Sequence, residues 1–205
     1  MLIIGAGGHA LEVLEVIRDL NLVKELYFFD NISKKDTEKF YGYSILKDYQ
    51  KVEELFNFDA EYIIGIGGSI NRFYLANSLN AIGGKLISII SEKAIVSEKA
   101  FIGDGVNLMS FSAILGNAII NEGVLVNAFS SIHHDTEIGK YSELSPGCRI
   151  LGGSKIGEFC EIGANAVILP KIKIADRVIV GAGSVVTKNL IEEGVYVGAP
   201  AIKIK

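Results

Sequence analysis

The sequence has few cysteines, few prolines and no tryptophan, and these scarcities exclude several classes of protein. Cys148 and Cys160 are the only cysteines among 205 residues, too few for a disulfide framework and without the partner residues of a zinc site. Only 3 prolines stand against 23 glycines and 49% hydrophobic residues, a composition typical of a packed globular chain with many tight corners. We therefore expect two reduced core thiols and no metal site.

Positive charge and long apolar runs are also lacking. Lysine and arginine number 20 against 24 aspartates and glutamates, which gives a formal net charge of −4. A chain without a basic surface is not expected to bind nucleic acid as its main partner. No stretch reaches the roughly 18 apolar residues of a membrane span, and the start MLIIGAGG lacks the basic region of an export signal. We expect a cytoplasmic protein with no membrane partner.

Residues 1–88 alternate short apolar runs with helix-like segments. The runs LIIGAG, LYFFD and YIIGIGG are interspersed with ALEVLEVIRDL and NRFYLANSLNAIGG. In the first of these helical segments Leu11, Leu14, Val16 and Ile17 form an apolar stripe, and the charged residues fall on the other side. The pattern predicts an α/β domain, a small parallel sheet flanked by helices that resembles half of a Rossmann fold.

Residues 89–205 follow a different rule, a fixed period of six. Every sixth position from Ile90 to Val186 is aliphatic, and the residue two positions before it is usually small. Such a repeat forms one flat face of a triangular prism, so it predicts a left-handed parallel β-helix with a C-terminal extension and no long protruding loop. Glycine often follows the aliphatic position, where we expect it to accommodate the turn. The spacing of Cys148 and Cys160 places them on different faces and argues against a disulfide.

Six segments together resemble one family. They are IIGAGGHA, FFDN, IGIGGSINR, NAFSSIHHDTEIG, VVTKNL and VGAPA. On these segments the chain resembles the hexapeptide-repeat acyltransferases and, more narrowly, the family of sialic-acid O-acetyltransferases and bacillosamine-pathway UDP-4-amino-sugar N-acetyltransferases. The resemblance implies a homotrimer with active sites at the subunit interfaces, acetyl-CoA in the groove between neighbouring prisms, and a sugar nucleotide held by the N-terminal domain.

The resemblance places the catalytic base at His134, followed by its acidic neighbour Asp135. Acyl transfer needs a group that accepts a proton near neutral pH, as histidine does, and a carboxylate beside it holds the ring's tautomer. The acceptor then attacks the thioester directly, backbone N–H groups stabilise the oxyanion, and neither cysteine acts as a nucleophile. Two alternatives stay open: His133 as the base, or HHD as a merely polar corner of the prism.

The loop GAGGHA predicts a phosphate site, because it follows the first apolar run and opens the first helix. Its glycines also satisfy the dinucleotide fingerprint, but a domain with so few strands favours a mononucleotide. For Asn127 and Arg72, contact with the sugar or an anionic group competes with a turn asparagine and a surface helix charge, respectively. The sugar-nucleotide residues implied by the resemblance are Gly7, Gly8, His9, Asp30, Asn31, Gly65, Gly67, Arg72 and Asn127.

The resemblance also implies an acetyl-CoA site built largely from the C-terminal coils. Its residues are Glu143, Ala164, Gly181, Ala182, Lys188, Gly198 and Pro200. Lys188 would meet the CoA phosphates, although an exposed lysine is ordinarily only solvated. Glu143 departs from the family, in which many members carry a histidine that contributes to acetyl-CoA contact, and a carboxylate cannot donate a hydrogen bond unless it is protonated.

Four functions compete on the sequence. The leading hypothesis is acetyl-CoA-dependent N-acetylation of a 4-amino-4,6-dideoxy sugar linked to UDP, dTDP or GDP, in bacterial surface-polysaccharide or glycan synthesis. Its enzymatic rival is O-acetylation of sialic acid or a related nonulosonate. A non-catalytic β-helix that serves as a scaffold or sugar-nucleotide-binding subunit would not be stabilised by acetyl-CoA, and an NAD-dependent reductase would bind NADH.

Overall fold

The computed structural model describes residues 1–22, 25–32 and 38–205 of the chain. An α/β unit comes first, and its last strand ends at Leu86. A prism of short parallel strands then begins at Ile89. The two predicted folds, a Rossmann-like half domain and a left-handed parallel β-helix, are confirmed.

The N-terminal unit has a central sheet with helices on its faces. Its elements are β1 (Leu2–Ile4), α1 (Gly8–Asp19), β2 (Tyr27–Phe29), β3 (Lys39–Phe40), β4 (Tyr43–Leu46), α2 (Tyr49–Phe56), β5 (Glu61–Ile64), α3 (Ser69–Ala81) and β6 (Lys85–Leu86). The strands lie in the order β3-β4-β2-β1-β5-β6, and every pairing is parallel except the β3–β4 hairpin. The loops that follow β1, β2 and β5 therefore meet at one edge of the sheet, where parallel α/β sheets bind ligands.

Aliphatic residues fill the core of this unit. Ile3 and Ile63 are completely buried, because central parallel strands are covered on both faces. In α1 the predicted stripe is confirmed: Leu14, Val16 and Ile17 are buried, whereas Leu11 is half-buried at its edge. The described residues contain no helix that is both long and apolar enough to cross a membrane.

The β-helix has three faces, each a ladder of parallel strands, and face 1 ends in one antiparallel strand. Face 1 consists of β7 (Ile89–Ile90), β10 (Asn107–Leu108), β13 (Leu125–Val126), β16 (Glu143–Leu144), β19 (Glu161–Ile162) and β22 (Val178–Val180), followed by β24 (Gly194–Val197) and β25 (Ile202–Lys203). Face 2 consists of β8 (Ile95–Val96), β11 (Ala113–Ile114), β14 (Ser131–Ile132), β17 (Arg149–Ile150), β20 (Val167–Ile168) and β23 (Val185–Val186). Face 3 consists of β9 (Phe101–Ile102), β12 (Ile119–Ile120), β15 (Glu137–Ile138), β18 (Lys155–Ile156) and β21 (Lys173–Ile174).

The aliphatic position of each repeat points into the prism. From Leu108 to Val186 every sixth residue is buried, as predicted. The first coil differs, since Ile90 is 38% exposed and Val96 and Ile102 are only half-buried. An end coil has a neighbour on one side only, so its inward residues are covered less completely.

The corners of the prism are not made by the glycines that follow the aliphatic positions, and that prediction was wrong. Gly157 and Gly163 have no left-handed backbone; instead, a Cβ would lie 2.6 Å from Asp176 N and 2.5 Å from Ala182 N in the next coil. These glycines allow the coils to stack closely. The left-handed corner comes two residues later, at Gly105, Phe111, Asn117, Gly123, Phe129, Asp135, Tyr141, Gly147, Gly153, Phe159, Asn165, Lys171, Arg177 and Gly183.

We call the turns between faces 1 and 2 the first corner, those between faces 2 and 3 the second corner, and those between faces 3 and 1 the third corner. The N-terminal unit packs on face 1 and the third corner. Val13 of α1 belongs to the same buried cluster as Leu125 of face 1. Phe73 of α3 lies edge-on to Tyr141 and Phe159 of the third corner, with ring centroids 5.2 and 5.3 Å apart.

Both cysteines are free and buried, as predicted. Cys148 precedes a strand of face 2 and Cys160 a strand of face 1. Burial raises the pKa of both thiols to about 11, which disfavours the nucleophilic thiolate.

Candidate functional site

His134 and Asp135 lie at the second corner, on the turn that follows β14. Asp135 has a left-handed backbone with φ 57°, and its carboxylate Oδ2 is 2.8 Å from Nδ1 of His134. The His134 side chain is 69% exposed. A carboxylate on Nδ1 holds the ring proton there and leaves Nε2 free to accept a proton from a substrate. The predicted pair is therefore in contact and open to a ligand.

Two residues that the sequence analysis missed surround this pair. Asn117, one coil before Asp135, donates from Nδ2 to Asp135 Oδ1 over 3.0 Å. Gly152, one coil after His134, lies beneath the ring, since a Cβ on it would be 2.5 Å from Nε2. The sequence carried a signal for both residues, namely their spacing of 18 from Asp135 and His134. Residues 18 apart occupy the same position of successive coils, as the pairing of Ile114 with Ile132 shows.

His133 differs from its neighbour. It is half-buried, and among the described residues none forms a hydrogen bond with its ring. Only His134 of this pair therefore has a carboxylate partner among the described residues.

A second group of predicted residues meets at the edge of the N-terminal sheet. Gly7 caps α1, and Gly8 and His9 form its first turn. Asp30 and Asn31 follow β2 and line a cavity of about 60 Å³ beside the loops after β1 and β5. These side chains and helix N–H groups together suit a polar or phosphorylated ligand.

His9 faces the β-helix from the first turn of α1. Its Nδ1 is 3.2 Å from Glu12 Oε2, and its Nε2 is 3.5 Å from Asn107 Nδ2 on face 1. Its side chain is 13% exposed, and burial lowers its pKa below the ordinary value of 6.5. The neutral ring is thus favoured at physiological pH, so any contact with a phosphate would be a hydrogen bond and not an ion pair.

Glu143, for which contact with acetyl-CoA remains a prediction, is engaged within the chain. The Glu143 carboxylate accepts a hydrogen bond of 2.7 Å from the Gly68 N–H, and the neighbouring Glu161 accepts one of 3.2 Å from Ser69 Oγ. These two acids of face 1 meet the N-terminus of α3, where negative charge is favourable. Glu143 therefore connects the two units.

Two predicted glycines of the substrate site also have other surroundings. Gly65 is buried, and a Cβ on it would lie 2.9 Å from the carbonyl oxygen of Ile4. Gly67 is exposed, but a Cβ there would be 3.1 Å from Glu143 Oε2. Both allow close packing within the chain, and their contact with a sugar nucleotide remains a prediction.

Arg72 is neither a surface charge nor free to reach an anion, and both interpretations were wrong. It is completely buried in α3, and its guanidinium donates to the carbonyl oxygens of Gly123, Ile64 and Ile66. Burial lowers its pKa to about 10. Arg72 joins the third corner to the end of β5, as a structural cross-link between the two units.

Most of the predicted acetyl-CoA residues gather at the first corner. Ala164 and Ala182 occupy equivalent positions of successive coils, and the cis peptide between Ala199 and Pro200 follows Gly198, whose carbonyl accepts from Val185 N. Asn127 also lies at this corner, 8% exposed. Lys188 is apart from them, on the turn after face 2.

A single chain does not bring His134 together with the predicted sugar-nucleotide residues of the N-terminal unit. The N-terminal unit covers face 1, whereas His134 lies at the corner between the other two faces.

The described residues hold no group of three or more histidine, cysteine, aspartate or glutamate side chains arranged for a metal ion.

Comparison with known proteins adds two family matches. Residues 1–79 match the PglD N-terminal domain, and residues 117–152 and 153–188 match the bacterial transferase hexapeptide repeat. A search of curated proteins by sequence found no significant match.

Solved structures match over nearly the whole chain. The acetyltransferase domain of PglB from Neisseria gonorrhoeae FA1090, in complex with acetyl coenzyme A, is 26% identical with a TM-score of 0.87, over 99% of this chain and 98% of that one. PerB from Caulobacter crescentus, in complex with CoA and GDP-perosamine, is 27% identical with a TM-score of 0.90, over 100% and 96%. WeeI from Acinetobacter baumannii AYE is 27% identical with a TM-score of 0.88, over 99% and 98%.

Proposed function

Because the chain belongs to the hexapeptide-repeat sugar acetyltransferases with a PglD-type N-terminal domain, we propose that it transfers the acetyl group of acetyl-CoA to a nucleotide-linked amino sugar. The acceptor is the 4-amino group of a 4-amino-4,6-dideoxy sugar. The similarity to the PglB domain with acetyl coenzyme A and to PerB with CoA and GDP-perosamine supports both substrates. The contact between His134 Nδ1 and Asp135 Oδ2 at an exposed corner is the observation that carries the proposal.

In the proposed reaction His134 acts as the general base. The sugar amine attacks the thioester carbonyl carbon, a C–N bond forms, and Nε2 of His134 takes the proton that the nitrogen loses. The C–S bond then breaks, and the CoA thiolate leaves and takes the proton from the His134 imidazolium, which regenerates the base. Asp135 holds the proton on Nδ1 and stabilises the imidazolium.

The Gly152 N–H is suited to stabilise the oxyanion of the tetrahedral intermediate. Within the described part of the chain it donates to no protein acceptor, and it lies beside the ring of His134. Transfer is direct, because the two thiols are buried and their pKa is raised by burial.

We propose that the active site forms between copies of the chain in a homotrimer. The sugar-nucleotide residues and His134 occupy different sides of the prism, so a second copy must supply the missing half. Large apolar side chains of the first coils also remain more than half exposed, as association would require: Ile95, Phe101, Phe111 and Phe129.

Release of CoA, followed with a thiol reagent, tests the function. The protein and acetyl-CoA are offered UDP-, dTDP- and GDP-linked 4-amino sugars, and free and CMP-linked sialic acid. We expect turnover on one amino sugar, and a product whose acetyl group resists hydroxylamine, as an amide does and an ester does not. Turnover on sialic acids alone would assign O-acetylation. If the protein neither turns over any of these sugars nor binds acetyl-CoA, it is a non-catalytic β-helix.

His134→Ala and His133→Ala form a matched pair for the assignment of the base. We expect the first to lower kcat/KM by about 10²–10⁴-fold, in the usual range for a general base, and the second to leave most of the activity. An equal loss in both variants would contradict the assignment.

A further inference from the structure

The residue one coil before the His134–Asp135 pair has no role in the function proposed above. Asn117 donates from Nδ2 to Asp135 Oδ1 over 3.0 Å, while Asp135 Oδ2 contacts His134 Nδ1 at 2.8 Å. The carboxylate is thus held by a donor at each oxygen. With both oxygens engaged, the carboxylate plane is fixed and so is the direction in which it accepts the ring proton.

The backbone at both residues is a special one. Asn117 has φ 58° and Asp135 has φ 57°, and the Asp135 N–H donates to Gly116 O over 3.0 Å. Asparagine and aspartate adopt this left-handed conformation more readily than most other residues. Stacking of the coils therefore places the two short polar side chains in register, where a longer side chain would not make the same contact.

The next coil bounds the ring from the other side. A Cβ on Gly152 would lie 2.5 Å from His134 Nε2 and 2.6 Å from Cε1. Because Gly152 has no side chain, the His134 ring can lie directly against the Gly152 backbone. The ring is exposed to solvent and lies against the Gly152 backbone of the next coil.

We infer that Asn117 is a positioning residue that holds Asp135. We infer also that Gly152, apart from the role proposed for its N–H, lacks a side chain so that the His134 ring can lie against it with Nε2 towards the acceptor amine. The inference rests on the proposed function for its kinetic consequence. The arrangement of the pair itself can be measured in the free protein without substrate.

The first test is Asn117→Gly, since glycine keeps the left-handed backbone without strain. Arg177→Gly is its matched control, because Arg177 has φ 58° at the third corner and is exposed. We expect Asn117→Gly to lower kcat about tenfold, as loss of a supporting hydrogen bond commonly does, with the KM for acetyl-CoA unchanged. Wild-type kcat in Asn117→Gly, or an equal loss in Arg177→Gly, would overturn the inference.

Nuclear magnetic resonance of the free protein gives a readout independent of turnover. Ring ¹⁵N shifts should report the Nδ1–H tautomer of neutral His134 in the wild type and a mixture of tautomers in Asn117→Gly. If the chain lacks acetyltransferase activity but the tautomer still changes, the proposed function fails and the positioning role stands. An unchanged tautomer would overturn the positioning role whatever the kinetics.

Gly152→Ala tests the other side of the ring. The three atoms nearest to the new Cβ all belong to the exposed His134 ring, so we expect the ring to be displaced, kcat to fall about tenfold or more, and the thermal midpoint to stay near the wild-type value. A lowered thermal midpoint with wild-type kcat would show that Gly152 serves the coil and not the ring.

Discussion

The second and third corners of the β-helix share one backbone conformation and carry opposite kinds of side chain. At the third corner the left-handed positions hold Tyr141 and Phe159, whose rings stack and contact Phe73 of α3. At the second corner the equivalent positions hold Asn117 and Asp135, which are exposed. The repeat thus supplies the scaffold, and the residue at one corner position decides whether that corner binds another part of the protein or carries the proposed chemistry.

The difference predicts that third-corner substitutions lower stability and second-corner substitutions lower activity. The largest stability effect is expected for Arg72→Met, which leaves the carbonyl oxygens of Gly123 and Ile66 without their donor. The Ile64 carbonyl loses one of its two donors, since Asn107 Nδ2 also donates to it. The loss should be about 3 kcal/mol or more, measured by urea unfolding at fixed protein concentration. Arg72→Lys should recover only part, because an ammonium lacks the planar fork. Wild-type stability in Arg72→Met would contradict the cross-link.

Phe159→Ala comes next in size. Removal of this ring opens the cluster with Phe73 and Tyr141, and we expect a loss of about 2–3 kcal/mol in the free energy of unfolding. Arg177→Ala places the same residue on the next coil of the same corner, where the side chain is exposed. Subtracting the stability loss of Arg177→Ala from that of Phe159→Ala removes the cost of alanine in a left-handed backbone. If no loss then remains, the aromatic contact does not hold the N-terminal unit in place.

Gly157→Ala distinguishes close stacking from corner formation. The new Cβ would lie 2.6 Å from Asp176 N, so we expect a loss of about 1–3 kcal/mol in unfolding free energy. Gly116→Ala is the control, since a Cβ there meets nothing within 4 Å. It should be neutral or stabilising by about 0.4–1 kcal/mol. Equal losses would mean that the glycines of the repeat share one role.

The smallest effect concerns pH and the second corner. Hydrogen bonds from His134 and then Asn117 hold the pKa of the Asp135 carboxyl below its ordinary value of 3.8. A lowered carboxyl pKa adds stability above the unfolded-state value, and this contribution is lost as pH falls through the lower folded-state value. The difference in thermal midpoint between wild type and Asp135→Asn should therefore be present at pH 6 and shrink below pH 4. A difference in thermal midpoint that does not change with pH would contradict this contribution of the Asp135 carboxylate.

Much of the fold followed from periodicity, because burial of one residue in six is a local property of the repeat. The buried positions from Leu108 onward and the buried stripe of α1 were predicted in this way. The corner positions were missed because they carry asparagine, phenylalanine, tyrosine and lysine as well as glycine. Stacking of the next coil, which the sequence does not display, determines where glycine is needed.

The candidate site was predicted less completely. His134 and Asp135 are in contact, as the motif led us to expect. Arg72 was misplaced and the contact between Glu143 and α3 was missed, because the surroundings of both residues are set by how two units pack. A helix arginine or a strand glutamate has the same sequence signal whether it faces water or another unit. Asn117 lies one full coil from Asp135, so a search at that spacing would have found it.

Mixing of two inactive variants tests most directly whether the active site is shared between copies. One variant is His134→Ala, and the other is Asp30→Ala with Asn31→Ala in the N-terminal unit. Each should be inactive alone, and trimers assembled from both should release CoA, because some interfaces then contain both intact halves. If mixed trimers form and remain as inactive as their parents, the two halves of the site lie in one chain and the proposed arrangement is wrong.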